Sequence, residues 1–123
     1  NRQRATLATL QSIGRTAREA MHAIIRNEIE KLGSFVDTAW QLNKRLDPSS
    51  SNTEIEALFA RVRPHGFGSK LLGAGGGGFM LMVCRSGQDA AAVRAMLETR
   101  PPNPRARFFD YSISQEGLVV TAC

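Results

Sequence analysis

Apolar residues in the first part of the chain are spaced as on one face of an α-helix. They recur mostly every three or four positions as far as Ile25, and a second run with the same spacing extends to about Leu46. The spacing of Asn27 and Glu30 resembles a capping box, so we expect the second helix to begin there and the two helices to pack antiparallel. The predicted apolar face of the first helix consists of Leu7, Leu10, Ile13, Ala17, Met21, Ile24 and Ile25.

A third helix is predicted after a break in this pattern. Residues 47–51 contain a proline and three serines, a composition that is typical of a turn. The segment Ser51-Asn52-Thr53-Glu54 then has the residues of a helix N-terminus, and Pro64 ends the helix. We expect a turn at residues 65–68, after which the spacing of the apolar residues changes.

The second half of the chain has the pattern of strands around one further helix. Phe79–Cys84 is a continuous apolar run, which is typical of a buried strand, and a helix follows Ser86. The order is three helices and then β-loop-β-α-β-β, which predicts an α+β fold with one sheet and helices on one of its faces. We expect one domain over residues 1–123, with a helical part, 1–64, and a glycine-loop and α/β part, 65–123. The predicted strands are residues 69–72, 79–84, 106–113 and 118–121.

Glycine fills five of the six positions from residue 73 to residue 78. Ordering a glycine in place of an alanine costs about 0.4–1 kcal/mol, mainly because the unfolded chain is freer. Such a run is useful where the backbone must take a positive φ, or where a ligand, most commonly an anion, approaches bare backbone N–H groups. A close contact between sheet and helix backbones is the alternative explanation of the same residues.

Two known phosphate-binding motifs do not fit this glycine run. The spacing Gly73-x-Gly75-x-x-Gly78 matches the dinucleotide fingerprint, but that fingerprint requires a helix directly after the loop and a strand follows here. No Gly-Lys-Ser/Thr sequence closes the loop, which excludes a Walker A motif. The remaining interpretation is a glycine loop between two strands that bends over a neighbouring site.

Composition and charge narrow the class of protein. With 42% hydrophobic and 22% charged residues, the chain has the composition of a soluble globular domain, and no apolar run is long enough to span a bilayer. The net charge is +5, but the arginines are scattered, so we expect neither nucleic acid nor a membrane as a partner. Cys84 and Cys123 lack metal or redox spacing, and no signal-peptide pattern is visible, which favours a cytoplasmic, reducing compartment.

The glycine run and its flanks carry a family resemblance. Residues 68–79, GSKLLGAGGGGF, closely resemble the third motif of the GHMP kinases, a superfamily that includes galactokinase, homoserine kinase, mevalonate kinase and phosphomevalonate kinase. Residues 40–46 and 52–55 are similar to the helix pair that precedes this motif in the sugar-kinase branch. The end of the chain resembles the end of the L-fucose kinases, including the bifunctional fucokinase/GDP-fucose pyrophosphorylases, with the heptose-7-phosphate kinases as the nearest alternative. That last similarity covers residues 102–108, 112–114 and 117–118.

The resemblance implies a ferredoxin-like sandwich preceded by a helical hairpin, and a kinase of two halves of which this chain is the C-terminal one. In the family, the N-terminal half carries the nucleotide phosphate loop and an Asp often assigned as catalytic base, and neither is found here. We therefore expect no catalytic residue and no metal ligand in this chain. The implied reaction transfers the γ-phosphate of ATP, with Mg²⁺, to a sugar hydroxyl, L-fucose being the expected sugar. ATP and Mg²⁺ would be bound mainly by the N-terminal half, and the fragment alone would be inactive.

The resemblance also places the glycine loop opposite the phosphate loop of the other half. Lys70 could reach a phosphate or could equally be a solvated charge, and Asn43 is a candidate hydrogen-bonding residue beneath the substrate cleft. The alternative from another class is a regulatory module that binds a small molecule by itself. The kinase reading instead predicts an exposed apolar flank where the partner half docks. The residues expected to contact the nucleotide are Gly73, Ala74, Gly75, Gly76, Gly77 and Gly78.

Overall fold

The computed structural model describes residues 1–73 and 78–109 of the chain. Within these residues the fold is α+β, with four α-helices and two antiparallel strands, as the order of elements predicts. A strand is predicted over residues 106–113, but residues 106–109 do not form one, because no strand in the described residues pairs with them. Its remainder, and the strand predicted over residues 118–121, lie outside the described residues.

Helix α1 (Arg2–Ile25) is closed by Asn27, and the capping box predicted at this residue is wrong. Asn27 has φ = 55°, and its N–H donates to the carbonyl oxygen of Ile24 at 3.1 Å. The N–H of Glu28 donates to the carbonyl oxygen of Ala23 at 2.9 Å, which completes a Schellman motif. The next helix has Glu28 as its cap residue, without a side-chain hydrogen bond.

Helix α2 (Ile29–Leu46) packs against α1, so the first 46 residues form a helical hairpin. A 3₁₀ turn (Pro48–Ser50) separates it from helix α3 (Thr53–Val62). Asn52 Oδ1 accepts the N–H of Ile55 at 2.9 Å, which confirms the helix N-terminus predicted from the sequence.

Strands β1 (Gly66–Leu72) and β2 (Phe79–Cys84) form an antiparallel hairpin after a second 3₁₀ turn (Arg63–His65). The predicted turn at the start of β1 is wrong, because the residues from Gly66 onward already belong to the strand. A bulge lies between Gly66 and Gly68. Here the glycines serve close packing and a bulge, whereas in the sequence they signal a turn.

Helix α4 (Gly87–Thr99) begins after its cap residue, Ser86, as predicted. The main core cluster lies where α2, α3 and β1 meet, and it contains the buried side chains of Trp40, Phe59 and Leu71. The rings of Trp40 and Phe59 make an edge-to-face contact, with 5.5 Å between their centroids. The prediction that Trp40 is a core residue is confirmed, since only 2% of it is exposed.

Helix α2 and strand β1 touch through two glycines. A methyl group added at Gly68 would overlap the backbone carbonyl of Gly33, and one added at Gly33 would overlap the Cβ of Phe67. Neither neighbour is the flexible end of a side chain, so a larger residue would push the helix and the strand apart. These two positions fix how closely α2 approaches the sheet.

The predicted apolar face of α1 is largely exposed to solvent, although α1 packs against α2. Met21 is 51% exposed, and Ile24 and Ile25 are 61% and 73% exposed. The buried residues of α1 are the small ones, Thr16 and Ala23. Small side chains let two helix backbones come close, so α1 meets α2 through this side and leaves its larger apolar residues outside.

Candidate functional site

The glycine turn, residues 73–78, joins the last paired residues of β1 and β2. Leu72 lies opposite Phe79, and beside them Gly73 and Gly78 have φ angles of +87° and +88°. Residues with a Cβ rarely adopt such angles, so the backbone itself favours glycine at both ends of the turn. Residues 74–77 lie outside the described residues, and the structure therefore describes the first and last of the six residues expected to contact phosphate.

A cavity of about 890 Å³ lies beside Gly78, between α3 and residues 100–109. We call it the arginine cavity, after the four arginines that line it: Arg61, Arg100, Arg105 and Arg107. Arg61 Nη2 donates to the carbonyl oxygen of Arg100 at 2.8 Å, which holds α3 to the segment after α4. Within residues 1–73 and 78–109, none of the four pairs with a carboxylate. Since guanidinium groups bind phosphate oxygens well, this cavity can hold an anion next to the glycine turn.

Lys70 and Asn43, the two candidate substrate contacts, do not line the arginine cavity. Lys70 lies in β1 opposite Leu81, and the alternation of the strand places it on the other face from the buried Leu71. Asn43 is half-buried on α2. Neither side chain makes a hydrogen bond within the part of the chain that the structure describes, and their roles as substrate contacts stay predictions.

A polar network that sequence reasoning missed joins α2 to α3. Lys44 Nζ lies 2.9 Å from Glu56 Oε1, and the Ser51 hydroxyl donates to the same oxygen at 2.7 Å. These two hydrogen bonds, that of Ser51 first, lower the pKa of Glu56 below its usual value. No sequence periodicity relates residues 12 positions apart on different helices, so only the tertiary fold reveals this pair.

A second missed group ties the 3₁₀ turn before β1 to the start of α4. His65 Nδ1 lies 2.9 Å from Asp89 Oδ1, and the Ser86 hydroxyl donates to Asp89 Oδ2 at 2.8 Å. The hydrogen bond to His65, and then that from Ser86, lower the pKa of Asp89. Nearby, burial and the charge of Asp89 raise the pKa of the Cys84 thiol, which makes it a poor nucleophile. The signal available in the sequence was the helix-cap spacing of Ser86 and Asp89.

Neither a metal centre nor a membrane span is found in the described residues. Across residues 1–73 and 78–109, no three His, Cys, Asp or Glu side chains come together in a way that could hold a metal ion. In the same residues, no helix is both long enough and apolar enough to cross a bilayer.

A family model matches most of the chain. The family model for the C-terminal region of GHMP kinases, "GHMP kinases C terminal", matches residues 20–103. The matched stretch extends from the last turns of α1 to the beginning of the segment after α4, and it includes the glycine turn, α3 and the hairpin.

Three curated relatives are similar to most of this chain. An L-fucokinase/L-fucose-1-P guanylyltransferase of Bacteroides fragilis is 38% identical over 81% of the chain, and a bifunctional fucokinase/GDP-fucose pyrophosphorylase of Arabidopsis thaliana is 33% identical over 75%. A mevalonate kinase of Aeropyrum pernix is 36% identical over 82% of the chain. The chain spans only 11%, 9% and 29% of the lengths of these three relatives, in that order.

Proposed function

Because this chain belongs to the GHMP kinase family, as its C-terminal domain, we propose that it is the C-terminal half of an ATP-dependent sugar kinase. The proposed reaction transfers the γ-phosphate of ATP to L-fucose and yields fucose 1-phosphate. The observation that carries the proposal is that two relatives named as fucokinases match at least three quarters of the chain at 33–38% identity. The proposed location is the cytoplasm.

The glycine turn has the properties that such a reaction needs from this half. Phosphoryl transfer depends on positioning and on stabilising charge, more than on covalent chemistry by the protein. A turn with no side chains can approach the transferring phosphate closely, and backbone N–H groups can donate to its oxygens. We assign this role to residues 73–78, with Lys70 and Asn43 as proposed contacts to the substrate. When bound, ATP with Mg²⁺ supplies the phosphoryl group, mainly through the N-terminal half.

The arginine cavity supports an anionic ligand beside this turn. Gly78 lines it together with four arginines, and Glu54 is the one acidic residue of the lining. Guanidinium groups stay charged at every physiological pH, so the surplus of positive charge persists. Phosphate groups of a nucleotide or of a sugar phosphate match this charge.

The proposed partner of this chain is the N-terminal half of the same kinase. The chain spans a tenth to a third of the lengths of its relatives, which leaves room for a phosphate loop and a catalytic base elsewhere in a longer polypeptide. The exposed apolar face of α1 agrees with the expectation of a flank that a partner half covers. A stand-alone regulatory module would not need such a flank.

Mevalonate is a second candidate acceptor, favoured by the mevalonate kinase relative at 36% identity. A heptose 7-phosphate and the substrates of other GHMP kinases are further alternatives. The decisive assay measures ADP release by a longer kinase that contains this chain, with L-fucose, mevalonate or a heptose 7-phosphate as acceptor. We expect the highest kcat/KM with L-fucose, and a preference for either other acceptor would overturn the assignment of the sugar.

The chain by itself provides the complementary test. We expect no ATP-dependent phosphorylation by the purified 123-residue chain, and weak or no binding of ATP and of L-fucose in calorimetry. Activity of the isolated chain would show that the reaction does not need another half. Tight binding of one ligand without activity would favour the regulatory module.

A further inference from the structure

A polar pocket of about 280 Å³ lies at the end of the hairpin opposite the glycine turn. We call it the α2–α3 pocket, since residues of these two helices form one side and the start of β1 and end of β2 the other. The bulge between Gly66 and Gly68 lies at this end of the hairpin, and both glycines line the pocket. Bulges are frequent next to binding sites, because they redirect side chains and interrupt the pairing of strands.

The charged groups around this pocket leave an excess of positive charge. Lys44 and Glu56 pair with each other at 2.9 Å and so largely cancel. Arg63 and Arg85 also line the pocket, and within the described residues neither pairs with a carboxylate. Asp37 is the one further acidic residue of its lining. Two guanidinium groups therefore stand against one carboxylate.

Three aromatic residues, Trp40, Phe59 and Phe67, line the pocket. The guanidinium carbon of Arg85 lies 5.3 Å from the centre of the Phe67 ring, a cation–π contact that orients the arginine. Trp40 forms part of the opposite wall and is 2% exposed. Its indole Nε1–H is the one buried side-chain polar group in residues 1–73 and 78–109 without a hydrogen-bond partner. A buried donor of this kind is rare in folded proteins and calls for an acceptor.

We propose that the α2–α3 pocket binds a small anion that carries a phosphate or carboxylate group, held by Arg63 and Arg85. Arginine forks bind the oxygens of both groups in pairs, and the pocket is large enough for a small metabolite. The site is separate from the glycine turn, which lies at the far end of β1, so the proposal does not depend on the kinase reaction.

The chain contains its own reporter for this pocket, since Trp40 is its only tryptophan. We would titrate the full chain with sodium phosphate and, separately, with sodium acetate, at constant ionic strength maintained with NaCl. We expect a saturable change of Trp40 fluorescence with at least one of the two. Saturation by phosphate alone identifies a phosphate site, and saturation by acetate alone identifies a carboxylate site.

Substitutions of the basic and of the acidic lining residues should change the anion affinity in opposite directions. Arg63→Gln and Arg85→Gln should each weaken binding by about tenfold, the typical effect of losing a charged hydrogen bond, whereas Asp37→Asn should tighten it. Arg94→Gln, on the exposed part of α4, is the matched control and should bind as the unmodified chain does. Isothermal titration calorimetry on the same proteins checks that the signal is binding. A lack of saturation with both anions would overturn the proposal, and so would an affinity in Arg63→Gln and Arg85→Gln equal to that of the unmodified chain.

Discussion

Gly68 is the residue where strand β1 lies closest to helix α2. We predict that Gly68→Ala destabilises the fold by about 1–3 kcal/mol, because the added methyl group would overlap the backbone carbonyl of Gly33. The free energy of unfolding in urea measures the effect. Gly14→Ala is the matched control: it has open space around it in the interior of α1 and should stabilise the helix by up to about 1 kcal/mol. Equal stability of Gly68→Ala and the unmodified chain would contradict the observed contact.

Gly78 tests the glycine turn in the reaction. Its φ of +88° makes Gly78→Ala strained by about 1–2 kcal/mol, although there is space for the methyl group beside the carbonyl of Leu72. In a longer kinase that contains this chain, we expect kcat to fall more than the affinity for L-fucose, since the turn is proposed to face the transferring phosphate. Gly87→Ala, with open space and no positive φ, is the control. Unchanged steady-state kinetics in Gly78→Ala would show that the turn has no role in the reaction.

Single residues differ in how far the sequence predicts them. The helix starts at Asn52 and Ser86 are local features. Residues of these types favour the N-terminus of a helix, so the sequence alone predicts that a helix follows each of them. Gly66 and Gly68 were predicted as a turn, because the sequence does not distinguish a glycine that turns the chain from one that admits a neighbouring backbone. The Lys44–Glu56 pair depends on two helices meeting and has no local signal.

The geometry at the C-terminal end of helix α1 depends on one residue, Asn27. Asn27 has φ = 55°, so Asn27→Ala should destabilise the helical hairpin by about 1 kcal/mol, whereas Asn27→Gly should be neutral or slightly stabilising. Thermal unfolding followed by circular dichroism compares the two variants. If Asn27 were instead the cap of α2, Asn27→Gly would also be destabilising, by a few tenths of a kcal/mol, because glycine has no side-chain acceptor for the helix N-terminus.

The junction between α2 and α3 should depend on pH through Glu56. Its pKa is lowered in the folded state, so its contribution is complete above the unfolded pKa of about 4.3 and is lost as pH falls through the folded value. We expect Glu56→Gln to cost about 0.2–1 kcal/mol at pH 7, since the side chain is 43% exposed. That difference should shrink below about pH 4.

Glu54→Gln is the matched control for this junction, because Glu54 lies in the same first turn of α3 and forms no ion pair in the described residues. Urea midpoints of the three proteins between pH 3 and pH 7 make the comparison. If Glu54→Gln lost as much stability as Glu56→Gln, the effect would come from the helix dipole and not from the contacts of Glu56 with Lys44 and Ser51.

At the scale of the whole molecule, the exposed apolar face of α1 is the surface that we propose meets the N-terminal half of a longer kinase. In a longer kinase, Leu10→Glu with Ile24→Glu should lower the thermal midpoint, since each side chain loses about 1.5–3 kcal/mol of burial if that face is covered. In the chain alone the same pair should leave stability nearly unchanged, because the two residues are 50% and 61% exposed.

The control for this interface is Ala8→Glu with His22→Glu, which adds two acidic residues at exposed positions on another side of α1. It should leave the thermal midpoint of the longer kinase unchanged. If both double variants lowered the thermal midpoint equally, the added negative charge would explain the effect. If neither lowered it, another surface would meet the proposed partner half.

The sequence by itself determined the class of fold, the positions of most elements and the family, because these follow from apolar spacing, local caps and the motif over residues 68–79. Only the tertiary structure decided which side of α1 is buried, since periodicity identifies an apolar face but not the surface that covers it. The arginine cavity and the α2–α3 pocket also belong to the tertiary structure: their side chains come from elements far apart in the sequence, and charges meet there only after α2, α3 and the hairpin pack together.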